Sequence, residues 1–307
     1  MSELAVVIVS WNVRELLASC LLSLFDDLDR ANILSSVWVV DNASTDGTSE
    51  TVSERFPRVR LIANDQNLGF AAANNLVLDR LILRSQAADR PSFLWLLNPD
   101  TEVQPGAASA LLGTLHDHPQ TGVVGAKLLY PDGSLQHGAF RFPGLMQLAF
   151  ELFPMPGQLY HTPLNGRYPR RLYDGEASFP VDHPLGASML VRARAVDDVG
   201  LLDPGYRMYC EEIDWCWRMR RAGWHARCAP TARVIHHAGR STSQVPLPSF
   251  INLWSSRARL YARHHPALTW HLARAMVRLG MRRRMAGAGP DVAQACRDVL
   301  RAWENAR

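Results

Sequence analysis

The chain has no C-x-x-C pair, and its five cysteines, Cys20, Cys210, Cys216, Cys228 and Cys296, are scattered and odd in number. That excludes a disulfide framework and a zinc site. It fits small buried hydrophobes in a reducing, cytoplasmic compartment. No segment has the run of about eighteen uncharged apolar residues that a membrane span needs. The first residues, MSELAVVIVSWN, carry no basic segment ahead of their short apolar run, so they read as a first strand, not a signal peptide. There is no internal repeat and no low-complexity tract. A strong charge of one sign is also missing. The net charge is +4 over 307 residues, which does not point to nucleic acid, and the positive side chains gather in the last quarter. What remains, 47% apolar and 20% charged residues, is the composition of a folded chain with a sizeable core.

Leu4 to Val9 is a continuous apolar, β-branched run, as in a strand buried on both faces. Leu16, Leu17, Cys20, Leu21 and Leu24 then recur at helical spacing. Val37 to Val40, Val59 to Asn64 and Phe93 to Leu97 are further strands, with a helix expected over Ala71 to Leu83. This alternation predicts an α/β fold with a Rossmann-like, mostly parallel central sheet and helices on both faces. Ligands in such sheets sit beyond the carboxyl ends of the strands. The polar residues cluster there: Ser10-Trp11-Asn12, Asp41-Asn42, Asn64 to Asn67 and Asn98 to Asp100. Residues 130–180, rich in Pro, Gly and aromatics, are expected to include a long loop. Glu212 to Ala222 is expected to be a helix stopped by Gly223, with Asp214 and Arg218 paired one turn apart. After Pro246 and Pro248 the chain turns to Arg- and Leu-rich helix.

Each polar cluster has a chemical and a structural reading. Asp41 could accept hydrogen bonds from a nucleobase or ribose, or serve its own turn. Asp46 suits a helix cap. In NLGFAAANN, from Asn67 to Asn75, glycine and small residues at a helix entry suit the approach of backbone N–H groups to an anion, or tight packing. Asp100, presented by Pro99, could hold a hard divalent cation beside a diphosphate, or cap a helix. Glu211, Glu212 and Asp214 stand together at a helix start, where the dipole stabilises acids. Their mutual repulsion can also raise one pKa into the range of a general base. His236 and His237, followed by Gly and Ser, offer an imidazole for metal or diphosphate.

Taken in order, VVIVSWN, VVDNASTDGT, NLGFAAANN, LLNPDT, GAKLLYPDGSLQHGA, GASMLVRARAVDDVGLLDP, EEIDWCWRMRRAGW and VIHHAGRST resemble the family 2 glycosyltransferases, in their rhamnosyltransferase-like branch. The resemblance runs from about residue 4 to residue 243. It implies a GT-A fold over residues 1–245, with a nucleotide-sugar half to about residue 105 and an acceptor-side half to 245. Residues 246–307 form a C-terminal helical extension. It further implies inverting transfer from a nucleoside-diphosphate sugar, dTDP- or UDP-linked with rhamnose the first choice, to a glycan or lipid-linked acceptor of the cell envelope. A divalent metal, Mg²⁺ or Mn²⁺, is implied as cofactor. By position, Asp41 would contact the base, with Ser10, Trp11 and Asn12 lining its pocket. Asn42, Asn67, Gly69, Phe70, Asn74 and Asn98 would complete the donor site. Asp100 and His236 would hold the metal, with His237 the alternative, and Glu212 would be the base. Asn98 stands where the family often has an acid, and Ala73 where it often has glycine.

Two other functions share part of this pattern. A nucleotidyltransferase would carry a Gly-rich, basic phosphate loop after the first strand, where SWNVREL stands instead. A non-catalytic nucleotide-sugar-binding protein would have no need to keep Asp100, Glu212 and His236 together. The tail from Trp254 to Arg284 mixes Leu, Trp, Tyr and Met with Arg, and suits either a helical cap or a peripheral contact with the inner face of a membrane.

Overall fold

A computed structural model describes residues 3–86, 89–239 and 242–306. The strands are β1 (Leu4–Ser10), β2 (Ser35–Asp41), β3 (Val59–Ala63), β4 (Phe93–Leu97), β5 (Thr101–Val103), β6 (Thr121–Leu129), β7 (Leu135–Gln136), β8 (Ala139–Phe140), β9 (Phe179–Val181), β10 (His183–Pro184), β11 (Ser188–Arg192) and β12 (His225–His236). The helices are α1 (Arg14–Arg30), α2 (Thr48–Arg55), α3 (Phe70–Leu78), α4 (Ala107–Asp117), α5 (Leu145–Leu152), α6 (Arg170–Asp174), α7 (Ala193–Val199), α8 (Glu211–Arg221), α9 (Pro246–His264), α10 (Ala267–Met285) and α11 (Pro290–Asn305).

One ten-stranded sheet runs in the order β3-β2-β1-β4-β11-β6-β12-β5, with β7 on β6 and β9 on β12. Strands β1 to β4 are parallel, β11 is inserted antiparallel between β4 and β6, and β6 runs parallel to β12. The period-two alternation of β1 divides the core. Leu4, Val6 and Ile8 face α1 and α4 through Leu17, Leu21, Leu24 and Leu111. Ala5, Val7 and Val9 face α3, α7 and α8 through Val77, Val196, Trp215 and Met219.

Two local expectations change. The helix expected over Ala71 to Leu83 begins at Phe70, and its last turn, Asp79–Leu83, widens to π geometry. The segment expected as a long loop holds β7, β8, α5 and α6, and β8 pairs with β10. Its prolines and aromatics close short elements over the second core, where Tyr173 packs on Phe179.

Helices α9 to α11 carry their own core, built from Trp254, Trp270, Met281, Val299 and Trp303, with Leu148 from α5. Trp303 stacks on Trp270 and donates to the carbonyl of Trp254 at 2.9 Å. No helix among the described residues is long and apolar enough to cross a membrane.

Candidate active site

The ends of β1, β4 and β12 meet the start of α8 around a cavity of about 300 Å³. Ser10 and Trp11 come from the end of β1, and Asn98, Pro99 and Asp100 from the end of β4. His236 ends β12, directly across from Thr101 in β5, so sheet register brings it beside Asp100. Glu211 and Glu212 open α8, Gly186 lies beside Glu212, and Leu185 and Ala187 line the same cavity. Asn42, Asn67, Gly69 and Phe70 complete the lining, with Met208, Tyr209 and Gly239.

The residues that follow β2 and β3 and lead into α3 form a hydrogen-bonded frame around Asn42. Its Oδ1 accepts from the Leu68 amide at 3.0 Å and from Asn64 Nδ2 at 3.1 Å, while its Nδ2 donates to Asn67 Oδ1 at 2.9 Å. Asn67 Oδ1 also accepts from the Gly69 amide at 2.9 Å. Gly69 adopts φ +81°, and a Cβ there would lie 2.2 Å from the carbonyl oxygen of Arg207. That same carbonyl accepts the Phe70 amide at 3.0 Å. Glycine is therefore required twice over, by conformation and by the close approach of the loop that leads to Glu211.

Asp100 and His236 are both buried, with His236 Nε2 3.3 Å from Asp100 Oδ1. His236 Nδ1 donates to Gln136 Oε1 at 2.9 Å, an orientation that in the neutral ring would put the lone pair on Nε2. A carboxylate oxygen and an imidazole lone pair thus converge, and this donor set suits a divalent cation. Among the described residues no third His, Cys, Asp or Glu joins them, so the other positions would fall to diphosphate oxygens and water. His237 points elsewhere, with Nε2 2.7 Å from Glu102 Oε1.

Tyr209 and Cys210 precede α8 with φ of +70° and +68°, two consecutive non-glycine residues in the left-handed region. This turn presents Glu211 and Glu212 to the cavity. Burial, and then the charge of Glu212, push the Glu211 carboxyl well above its ordinary value. Its Oε2 is buried with no partner among the described residues. Burial raises Glu212 to about 7, against the hydrogen bonds of its own and the Ile213 amide. The pair therefore keeps at least one proton as the pH rises toward neutral. The Ser10 hydroxyl, also in the lining, is buried without a partner among the described residues. Such atoms suit a polar ligand.

Four expected site residues do not reach the lining. Asp41 is held by its own loop, accepting from the Ser44 amide at 3.1 Å and from the Ser49 hydroxyl. Asn12, at φ +52°, accepts the Thr45 amide at 2.8 Å through its side chain. Asn74 donates to the Phe70 carbonyl inside α3 at 2.9 Å. Asp214 turns away from the cavity. It takes Arg218 Nε at 2.8 Å and His264 Nε2 at 2.7 Å, and lies 3.3 Å from Arg263. Burial alone would raise Asp214, but the bonds from His264 and Arg218, with the charges of Arg218 and Arg263, hold it below the usual carboxylate range. Asp214 is thus a strut between α8 and α9. Asp203 ties the loop before α8 to Arg259 and Arg263, and Ser256 donates to the Met208 carbonyl at 2.8 Å. Ala73 is buried in the core under α3, outside the lining. Arg240 and Ser241 of VIHHAGRST lie outside the described residues.

Gln136, Gly186 and Met208-Tyr209 were missed because each belongs to a loop or a two-residue strand, where periodicity is silent. Gln136 had one signal: an amide between Leu135 and His137 in a segment expected to include a long loop.

Residues 5–199 match the model of the family described as glycosyl transferase family 2. The chain is 33% identical over 222 residues, 69% of each protein, to N-acetylglucosaminyl-diphospho-decaprenol L-rhamnosyltransferase of Mycobacterium tuberculosis (strain ATCC 25618 / H37Rv). Among solved structures it superposes on the mannosyltransferase PcManGT from Pyrobaculum calidifontis, in complex with GDP-Man and Mn²⁺. There the TM-score is 0.58 and the identity 12%, over 99% of this chain and 88% of that one. It also superposes on GalNAc-T7 with UDP, GalNAc and Mn²⁺ at a TM-score of 0.56 and 17% identity, over 76% of this chain and only 42% of that one. These likenesses show the GT-A fold.

Replacing Gly69 with Ala is expected to force the Arg207 carbonyl outward and cost about 2 kcal/mol or more of stability. Urea denaturation checks this. A midpoint equal to that of the parent chain would show that the loop yields freely.

Proposed function

The chain belongs to glycosyl transferase family 2 and is a glycosyltransferase, and we propose that it moves a sugar, rhamnose first among candidates, from a dTDP- or UDP-linked donor to a hydroxyl of a lipid-linked glycan, inverting the anomeric centre. One observation carries this reading. A single cavity is lined by the Glu211–Glu212 pair and by Asp100 with His236. A displacement at the anomeric carbon needs a base for the attacking hydroxyl and positive charge for the departing diphosphate, both in reach of one sugar. The choice of rhamnose and of a lipid-linked acceptor rests on the relative from Mycobacterium tuberculosis.

Glu212, ionised near neutral pH, takes the proton from the acceptor hydroxyl. Glu211 stays protonated beside it and offers an O–H to the sugar or acceptor. The Gly69 and Phe70 segment and Asn42 position the donor, with Trp11 and Ser10 along the nucleoside side. Asp100 and His236 would hold a divalent metal such as Mg²⁺ or Mn²⁺, which supplies charge neutralisation to the diphosphate when bound. Asn98 adds a neutral oxygen or amide to that wall in place of a second acid. A nucleotidyltransferase is not favoured, because β1 passes through Trp11 and Asn12 straight into α1 with no glycine-rich phosphate loop.

Glu212→Gln is expected to retain donor binding by calorimetry and to lose about 10²-fold or more in transfer rate. Near-parental turnover in that variant would remove Glu212 from the role of base. For the metal wall, a thermal-shift series with dTDP or UDP in Mg²⁺, Mn²⁺ or chelator is the check. A nucleotide-dependent rise in melting temperature should require metal and vanish in Asp100→Ala. A rise that survives chelation would count against Asp100 and His236 as ligands.

A further inference from the structure

Helix α10 is apolar on two opposite faces. Toward the C-terminal core it presents Trp270, Ala273, Val277 and Met281. At about 100° per residue, Leu268, Leu272 and Leu279 fall within an arc of about 40° on the far side. These leucines are 72%, 46% and 61% exposed. A helix that only caps a domain needs one such stripe, and its outer face is ordinarily polar.

The charge around this outer stripe is also one-sided. The helix holds Arg274, Arg278, Arg282, Arg283 and Arg284 and no Asp or Glu. Arg274 lies over Trp270, Arg284 over Phe250, and Arg278 reaches Glu304. Arg282 and Arg283 remain exposed, on either side of the leucine stripe at helical spacing, in no ion pair among the described residues.

We propose that this face of α10 docks on an anionic bilayer, with the leucines at the acyl boundary and Arg282 and Arg283 against lipid phosphates. Pairing the face with a second copy would bring arginines from both chains to helices that offer no carboxylate. Anionic lipid supplies the complementary charge, and no helix among the described residues is long and apolar enough to cross the bilayer. The inference deepens the proposed function, since a lipid-linked acceptor resides in the bilayer. Its test needs neither donor nor acceptor, so the two readings fail separately.

The experiment is vesicle flotation of the full chain. It compares phosphatidylcholine vesicles with vesicles carrying about a third of phosphatidylglycerol. The parent chain should float with the anionic vesicles, less at high salt, and weakly with the neutral ones. Leu268→Gln/Leu272→Gln/Leu279→Gln should weaken binding about tenfold or more. Arg282→Gln/Arg283→Gln should weaken it on anionic vesicles only. All five side chains are exposed, so both variants should keep the parental melting temperature, and single Leu268→Gln repeats the test with the smallest change. The proposal is overturned if the parent chain stays at the bottom of the gradient, or if the leucine variants float as it does. It is also overturned if those substitutions split a dimer while vesicle binding is unchanged, which would give the face to a second copy.

Discussion

The site depends on two adjacent carboxyl groups at the first turn of α8, Glu211 buried and Glu212 half-buried at the cavity wall. Placing them together away from water costs free energy unless one keeps its proton. The chain sustains that arrangement through its surroundings. Tyr209 and Cys210 take up left-handed backbone to turn the pair toward the cavity. The next acid, Asp214, faces the other way and carries the cations of Arg218 and Arg263 with His264. One short helix thus separates its acids by role: two shared around a proton, and one ionised and locked in a network.

This division also gives the C-terminal helices a reason to be attached. Helix α9 contributes His264, Arg263, Arg259 and Ser256 to the α8 region and the loop before it. Leu260 packs with Tyr206 and Cys210. The strained turn is therefore braced from outside the sheet, in keeping with strain that persists only where neighbouring structure over-determines it. The outer surface of the same helical unit remains available for another task.

Much of the fold was legible in the sequence because both faces of β1, β2 and β4 are buried, and a continuous apolar run has few other meanings. Asp100, Glu212 and His236, singled out because acids and imidazoles at strand and helix ends are expensive unless used, share one cavity in the structure. Asp41, Asn12, Asn74 and Asp214 lie outside the cavity lining for a common physical reason. Short polar side chains satisfy nearby backbone or charges, and sequence spacing does not reveal which way they turn. Asp214 lies one turn from its partner Arg218, which was visible, but His264 is fifty residues away on α9. The antiparallel insertion of β11, which makes the sheet mixed, likewise depends on contacts far along the chain.

The central claim is that two adjacent acids, one buried and one half-buried, supply a base that ionises near neutral pH. Carbon-13 NMR titration of the glutamate side-chain carboxyls tests it most directly, with the Glu212 resonance assigned by its loss in a Gln variant. The account requires a midpoint of about 7 for Glu212, with Glu211 still protonated beyond it. A Glu212 midpoint near 4.5, the ordinary value, would mean that the pair is solvated and that the proposed acid–base logic of the site is wrong.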